Sequence, residues 1–234
     1  MKTPARSNLD SMIVGIELTL VSIIQGVALY FLIESTRGLM TVRDILFWPY
    51  ILSALLVIFV FWSRSVLHII TVIRWPLEFG HNFLYFACAL FEALLFTRLH
   101  NPRAWFAFGA VFGAVGWSLF VYDLRLIGAR ARDSAGPASD RLNAILRRDQ
   151  WLNITVLVPA VFLFNLVCYL CIRHWPELFL GQNLHVWLAA AQLAGFSGYL
   201  FYVTRYFKWI APLIAEARAE WHLVADEPPG SSGE

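Results

Sequence analysis

Charge is what this sequence has least of. Only 15% of its 234 residues are Asp, Glu, Lys or Arg, against ~25% in an ordinary soluble domain. With 59% hydrophobic residues and a mean hydropathy of +0.62, a soluble globule of this length has too little polar surface to cover its core. Cysteine is scarce too, at three residues, which excludes a disulfide framework. Cys88 lies in one apolar run. Cys168 and Cys171 form a C-x-x-C inside another, with no further ligand or water path beside them, and read as small apolar residues. Also missing are H-E-x-x-H, G-x-S-x-G, a phosphate-binding glycine loop and an acidic cluster suited to a metal-dependent lipid transferase. No lysine lies in an apolar run to carry a Schiff base, and no paired histidines lie at a depth that holds haem. The expectation is a protein that is not an enzyme and uses no cofactor or metal.

What the chain has instead is length of apolarity. Six runs stand out, with cores at Met12 to Leu32, Ile45 to Trp62, Phe79 to Thr97, Ala104 to Tyr122, Val156 to Ile172 and Leu184 to Val203. Each approaches the ~20 residues that cross a ~30 Å hydrocarbon layer as a helix. The runs are continuous rather than alternating, which points to helices and away from a β-barrel. The fold class is therefore all-α, a polytopic membrane protein of six transmembrane helices. The first run is too long, and its flank MKTPARSNLDS too weakly basic, for a cleaved signal peptide.

Thirteen of the eighteen Lys and Arg residues fall on the side of the amino terminus, which by the positive-inside rule places both termini in the cytoplasm. The localisation implied is a cell membrane, of the bacterial inner-membrane type. The net charge of +2 is a sorting signal and no nucleic-acid footprint. Trp48, Trp105, Trp175 and Trp187 fall near the outer ends of the runs, and Trp62, Trp75, Trp151 and Trp209 near the inner ends, as interfacial anchors. Residues 1–210 form the membrane domain. They include a cytoplasmic loop at 129–150, in which Asp140 is placed to cap a short helix at the inner membrane surface. Arg141, Arg147 and Arg148 on that helix are placed to meet anionic lipid. Residues 211–234 continue the sixth helix and end in a disordered Pro/Gly/Ser-rich tail.

Polar residues at membrane depth are the candidate site. Glu17 and Gln25 interrupt the first run, with Ser22 between them, and together they make one broad polar stripe. With Leu29 these are the expected pathway-lining residues, and Val27, Leu29, Leu32 and Ile33 form a hydrophobic constriction beyond Gln25. His81, Asn82, Glu92 and Asp123 are the other intramembrane polar groups, and a charge at such depth costs ~2.5–3.5 kcal/mol even on the gentlest scale. The structural reading pairs Glu17 with His81 or Arg125, Glu92 with Gln192, and Asp123 with Arg125. Gly109/Gly113, Ala191/Gly195 and Ala194/Gly198 place small residues at four-residue spacing, where helices approach closely.

The stretch FWPYILSALLVIFVFWSRSVLHI followed by HNFLYFACALFEALLF resembles the second and third helices of the bacterial six-helix relatives of the endolysosomal potassium channel family. The resemblance implies a tetramer with the first helix lining the pore. The family's Arg-x-x-x-Phe-Ser-Asp motif in that helix is missing, since ELTLVSIIQG stands there instead, so ion selectivity does not carry over. The functional expectation is a pore or transport protein, a cation channel formed by a homo-oligomer with the first helix facing the pathway. The alternative is a membrane scaffold that docks a partner through its cytoplasmic loop and tail.

Overall fold

The structure is a computed structural model that describes residues 4–40, 45–73, 78–132 and 136–226. The expectations for Lys2, Arg43, Arg74, Trp75 and the tail beyond Asp226 lie outside the described residues. Among those described there is no strand; the chain is a bundle of helices α1 (Pro4–Met40), α2 (Trp48–Thr71), α3 (Phe79–Phe96), α4 (Pro102–Ala131), α5 (Pro137–Leu152), α6 (Val158–His174) and α7 (His185–Asp226). Six stretches are long and apolar enough to cross a membrane, and α5 and α6 count as one of them, Pro137–His174.

Only between 17% and 33% of each span is buried within the chain. Large apolar side chains such as Phe79, Phe83, Trp187 and Phe201 point outward, as they do where lipid rather than water is the solvent. The inward stripe of α1 shows how the buried share is chosen. Ile13, Glu17, Val21, Gln25, Ala28, Leu32 and Thr36 are its buried residues, at three- and four-residue steps that keep one helix face turned to α2 and α3.

Three packed regions stack along the bundle. At one end, Tyr50, Trp105, Phe106, Phe96 and Ile172 form an aromatic-rich core. Midway, Val21, Phe61, Tyr85, Cys88 and Leu119 join α1 to α4. At the other end, Leu67, Leu126, Leu142, Leu146, Ile210 and Ile214 pack α5 against α2, α4 and α7. There Arg130 Nε donates to the Val72 carbonyl (3.2 Å) and Arg218 Nη2 to the Ile70 carbonyl (3.1 Å). These are C-terminal carbonyls of α2 that the helix itself leaves unpaired.

Three features differ from the sequence expectation. The loop helix is no separate element: α5 continues through a π turn at Asn153–Leu157 into α6, and its apolar side packs on protein. The π turn, in which the Val158 N–H reaches back to the Asn153 carbonyl, lets the helix absorb Pro159, which has no N–H to offer. Nor does Asp140 begin that helix. It starts at Pro137, and the N–H groups of Ala138 and Ser139 donate to Glu220 Oε1 (2.8 Å) and Oε2 (2.9 Å) from α7, so a carboxylate 82 residues away does the capping. Finally, Trp105 is no interfacial anchor, being fully buried with Nε1 donating to Gln192 Oε1 at 2.8 Å.

Gly109 and Gly113 do mark a close helix approach. A Cβ on Gly109 would strike the Asn165 side chain, and one on Gly113 would come within 3.2 Å of the Phe162 backbone, both on α6. Gly195 and Gly198 on α7 meet nothing within the chain.

Candidate functional site

The buried polar groups concentrate along one face of α3. His81, Tyr85, Cys88 and Glu92 follow at steps of four, three and four, and all are buried. Such spacing aligns them along the helix. His81 and Glu92 each have a polar partner on another helix.

At the α2–α3 end, His81 Nδ1–H donates to Asp123 Oδ1 of α4 at 2.8 Å. His68 of α2 lies beside them, its Nε2 3.5 Å from the same oxygen, and its ring is stacked on that of His81 with centroids 4.9 Å apart. Asp123 thus pairs with histidines; Arg125 sits on the exposed side of α4. The donor atoms of His68, His81 and Asp123 lie within 4.8 Å of one another, a nitrogen and oxygen set of the kind that holds zinc. The two rings are only 16° from parallel, however, so their in-plane lone pairs do not converge on one point. As arranged, His81 is hydrogen-bonded to Asp123 while His68 stacks on His81 with its Nε2 unbonded among the described residues, and coordination requires one ring to turn.

Next to it lies a second buried cluster. Asp149 accepts from Arg64 Nη2 (2.7 Å), Tyr202 Oη (2.6 Å) and Asn153 Nδ2 (3.2 Å), and Tyr199 Oη donates to Asn153 Oδ1 at 2.5 Å. A cavity of about 40 Å³ is lined by residues of both clusters, among them Arg64, His68, His81, Asp123 and Asp149. At ~10–15 Å³ per water it has room for a few waters.

Further along α3, Gln25 Nε2 donates to Glu92 Oε2 at 3.2 Å. Glu92 is fully buried. Its other oxygen, Oε1, together with Gln25 Oε1 and the Tyr85 hydroxyl, has no hydrogen-bond partner among the described residues. Glu17 accepts from Asn82 Nδ2 at 3.0 Å, one residue on from His81 along α3.

The partners differ from those expected. Glu17 pairs with Asn82 in place of His81 or Arg125, and Glu92 with Gln25, while Gln192 bonds Trp105 and Asn165. The polar stripe of α1 also divides: Glu17 and Gln25 face inward, whereas Ser22 and Leu29 face out. Ser22 Oγ donates to its own helix at the Leu18 carbonyl (2.8 Å). At ~100° per residue Gln25 lies ~80° from Glu17 and Ser22 ~140° away, too far to share a buried face. Of the expected constriction only Leu32 is buried; Val27, Leu29 and Ile33 are exposed. Sequence reasoning missed Tyr85, Asp149, Tyr199 and Tyr202. The tyrosines of α7 at 199, 202 and 206 repeat at helical spacing and are a readable signal; Asp149 is hidden because it lies on the polar side of the short helix of the cytoplasmic loop, among arginines.

No family model, curated protein or solved structure matches the chain. The fold and the buried polar face define a multi-pass α-helical membrane protein.

Proposed function

We propose that this membrane protein moves a small cation, and that the path runs inside the bundle of one chain along the buried face of α3. The observation that carries this reading is Glu92. It is a fully buried carboxyl group in a membrane span, with an amide as its hydrogen-bond partner, one oxygen unpartnered, and no ion pair among the described residues. An ionised carboxylate without a counter-charge is costly in such a place, and acidic groups in spans by default mark ion or proton pathways. Such a group carries a proton or shares a cation. Tyr85, whose ring lies 6.4 Å from that of His81, stands between Glu92 and the His68–Asp123–His81 unit.

The cation that suits this path is the proton. A hydrated ion needs a continuous lumen, and the polar cavity here has room for only a few waters. Proton transfer needs only carboxyl, imidazole and hydroxyl groups with water between them. The outer face of α1 suits a shared pore less well, because Met12, Ile16, Ile23, Val27 and Ile33 make it apolar. The scaffold alternative draws on the layer formed by α5 and the end of α7, where Arg141, Arg147 and Arg148 are exposed and suited to anionic lipid or a partner.

The test is proton flux into liposomes that hold a pH-sensitive dye, driven by a potassium diffusion potential. Wild-type protein is expected to pass protons, and Glu92→Gln, similar in shape but unable to carry or release the proton, to slow this ~10-fold or more. Equal rates for folded wild type and Glu92→Gln, or no flux above protein-free vesicles, would remove the transport reading and leave the scaffold.

A further inference from the structure

Helices α4 and α6 touch where Gly109 faces Asn165 and Gly113 faces Phe162, so the two run antiparallel. Beside that contact lies an open groove of about 520 Å³. Each of its sides is one helix face that ends in an arginine. On α4 the face runs Arg103, Ala107, Ala114 and Ser118, at steps of four, seven and four, and on α6 it runs Phe162, Leu166, Tyr169 and Arg173, at steps of four, three and four. The alanines make a low floor, and Phe162 and Leu166 make the wall. The Ser118 hydroxyl already donates to the Ala114 carbonyl at 3.2 Å.

The charged end of the groove is built from both helices. Arg103 stands in the first turn of α4 and Arg173 in the last turn of α6, and both are exposed. They meet at Tyr169: Arg103 lies over its ring, with Cζ 5.9 Å from the centroid, and Arg173 Nη1 donates to its hydroxyl at 3.3 Å. Two cations thus share one phenol, and neither forms an ion pair among the described residues; nor does Glu177, four positions beyond Arg173. Trp175, two positions beyond Arg173, is exposed, as aromatic residues are at the level of lipid headgroups. From Ala107 to Ser118 the floor rises ~16 Å, about half of a ~30 Å hydrocarbon layer. Its length is that of one leaflet.

We infer that this groove binds an anionic phospholipid, with the phosphate between Arg103 and Arg173 and one acyl chain lying along Ala107, Ala114 and Ser118. Guanidinium groups match phosphate oxygens in geometry as well as charge, and a negatively charged headgroup supplies the counter-charge that the pair does not find among the described residues. The exposed arginines of α5 belong to a different place, because α5 packs at the other end of α4. The site does not depend on proton transport, and its test reads no flux.

Phosphatidylglycerol carrying a diazirine on one acyl chain, in phosphatidylcholine vesicles containing the full chain, is photolysed and the adducts are mapped by mass spectrometry. The exposed face of α1 around Ile23 and Val27 serves as the internal reference for general lipid contact. Relative to it, labelling at Ala107, Ala114 and Leu166 should be about tenfold higher than with a phosphatidylcholine bearing the same diazirine chain, and should fall to the phosphatidylcholine level in Arg103→Gln with Arg173→Gln. Ala107→Phe with Ala114→Phe, which fills the floor, should remove it, and Val167→Trp, outside the groove, should keep it. The inference is overturned by equal groove labelling from the two lipids, by undiminished labelling in the folded double arginine variant, or by cross-links showing a second copy of the chain over the groove.

Discussion

Gln25 and Glu92 stand 67 positions apart in the chain and meet at 3.2 Å in the interior of the bundle. Each is the other's hydrogen-bond partner, and each keeps one oxygen unbonded among the described residues. The contact ties α1 to α3 at a level where both side chains are buried, so it serves both packing and the proposed path.

Gln25→Leu removes the amide and leaves Glu92 with no donor. The cost of an unsatisfied buried acceptor, about 1–3 kcal/mol, should appear as a lower thermal midpoint in detergent, and Glu92→Leu on the same background should restore most of it. A double variant no more stable than Gln25→Leu alone would mean the two residues do not act on one another.

Arg64 and Asp149 form a buried ion pair at 2.7 Å. Asp149→Leu strands the guanidinium and should destabilise by about 3–5 kcal/mol, whereas Arg64→Met with Asp149→Leu should recover much of that loss. Chemical unfolding of both variants checks the pattern; a single variant as stable as wild type would show that Arg64 finds another partner.

Glu220 holds the first N–H groups of α5. Glu220→Ala should cost about 1 kcal/mol and raise hydrogen exchange at residues 137–140 while leaving the membrane spans protected. Unchanged exchange there would mean the cap is not occupied in solution.

Gly109 and Gly198 look alike in sequence and differ in surroundings. Gly109→Ala collides with Asn165 and should lower stability, and Gly198→Ala meets nothing and should be neutral or slightly stabilising, because alanine is the better helix former by ~1 kcal/mol. Paired thermal melts decide this; the reverse order would refute the α4–α6 contact.

Reporter fusions after Leu178 and after Glu234 should report the outer and the inner side respectively, the orientation that the positive-inside rule gives for six spans when thirteen of the eighteen basic residues are counted to the amino-terminal side. A cytoplasmic signal at Leu178 would overturn both the span count and the orientation.

Helical class and the six spans were legible in the sequence because the cost of apolar or charged residues in a bilayer is set locally, by the length and composition of each run. The Gly109/Gly113 contact was legible for a similar reason: a small pair at one helical spacing marks close approach whatever lies opposite. The sequence also placed Glu17, Gln25, His81, Glu92 and Asp123 at membrane depth, since depth follows from counting along a helix. It did not say which helices are neighbours or how each is rotated, and hydrogen-bond partners depend on both. Only the tertiary structure turned Gln25 toward Glu92 and Ser22 away from the core, gave Asp123 to two histidines in place of Arg125, and turned Asp149 of the short cytoplasmic helix inward to hold Arg64. The groove between α4 and α6 belongs to the same class of fact, because a groove exists only where two helices lie side by side.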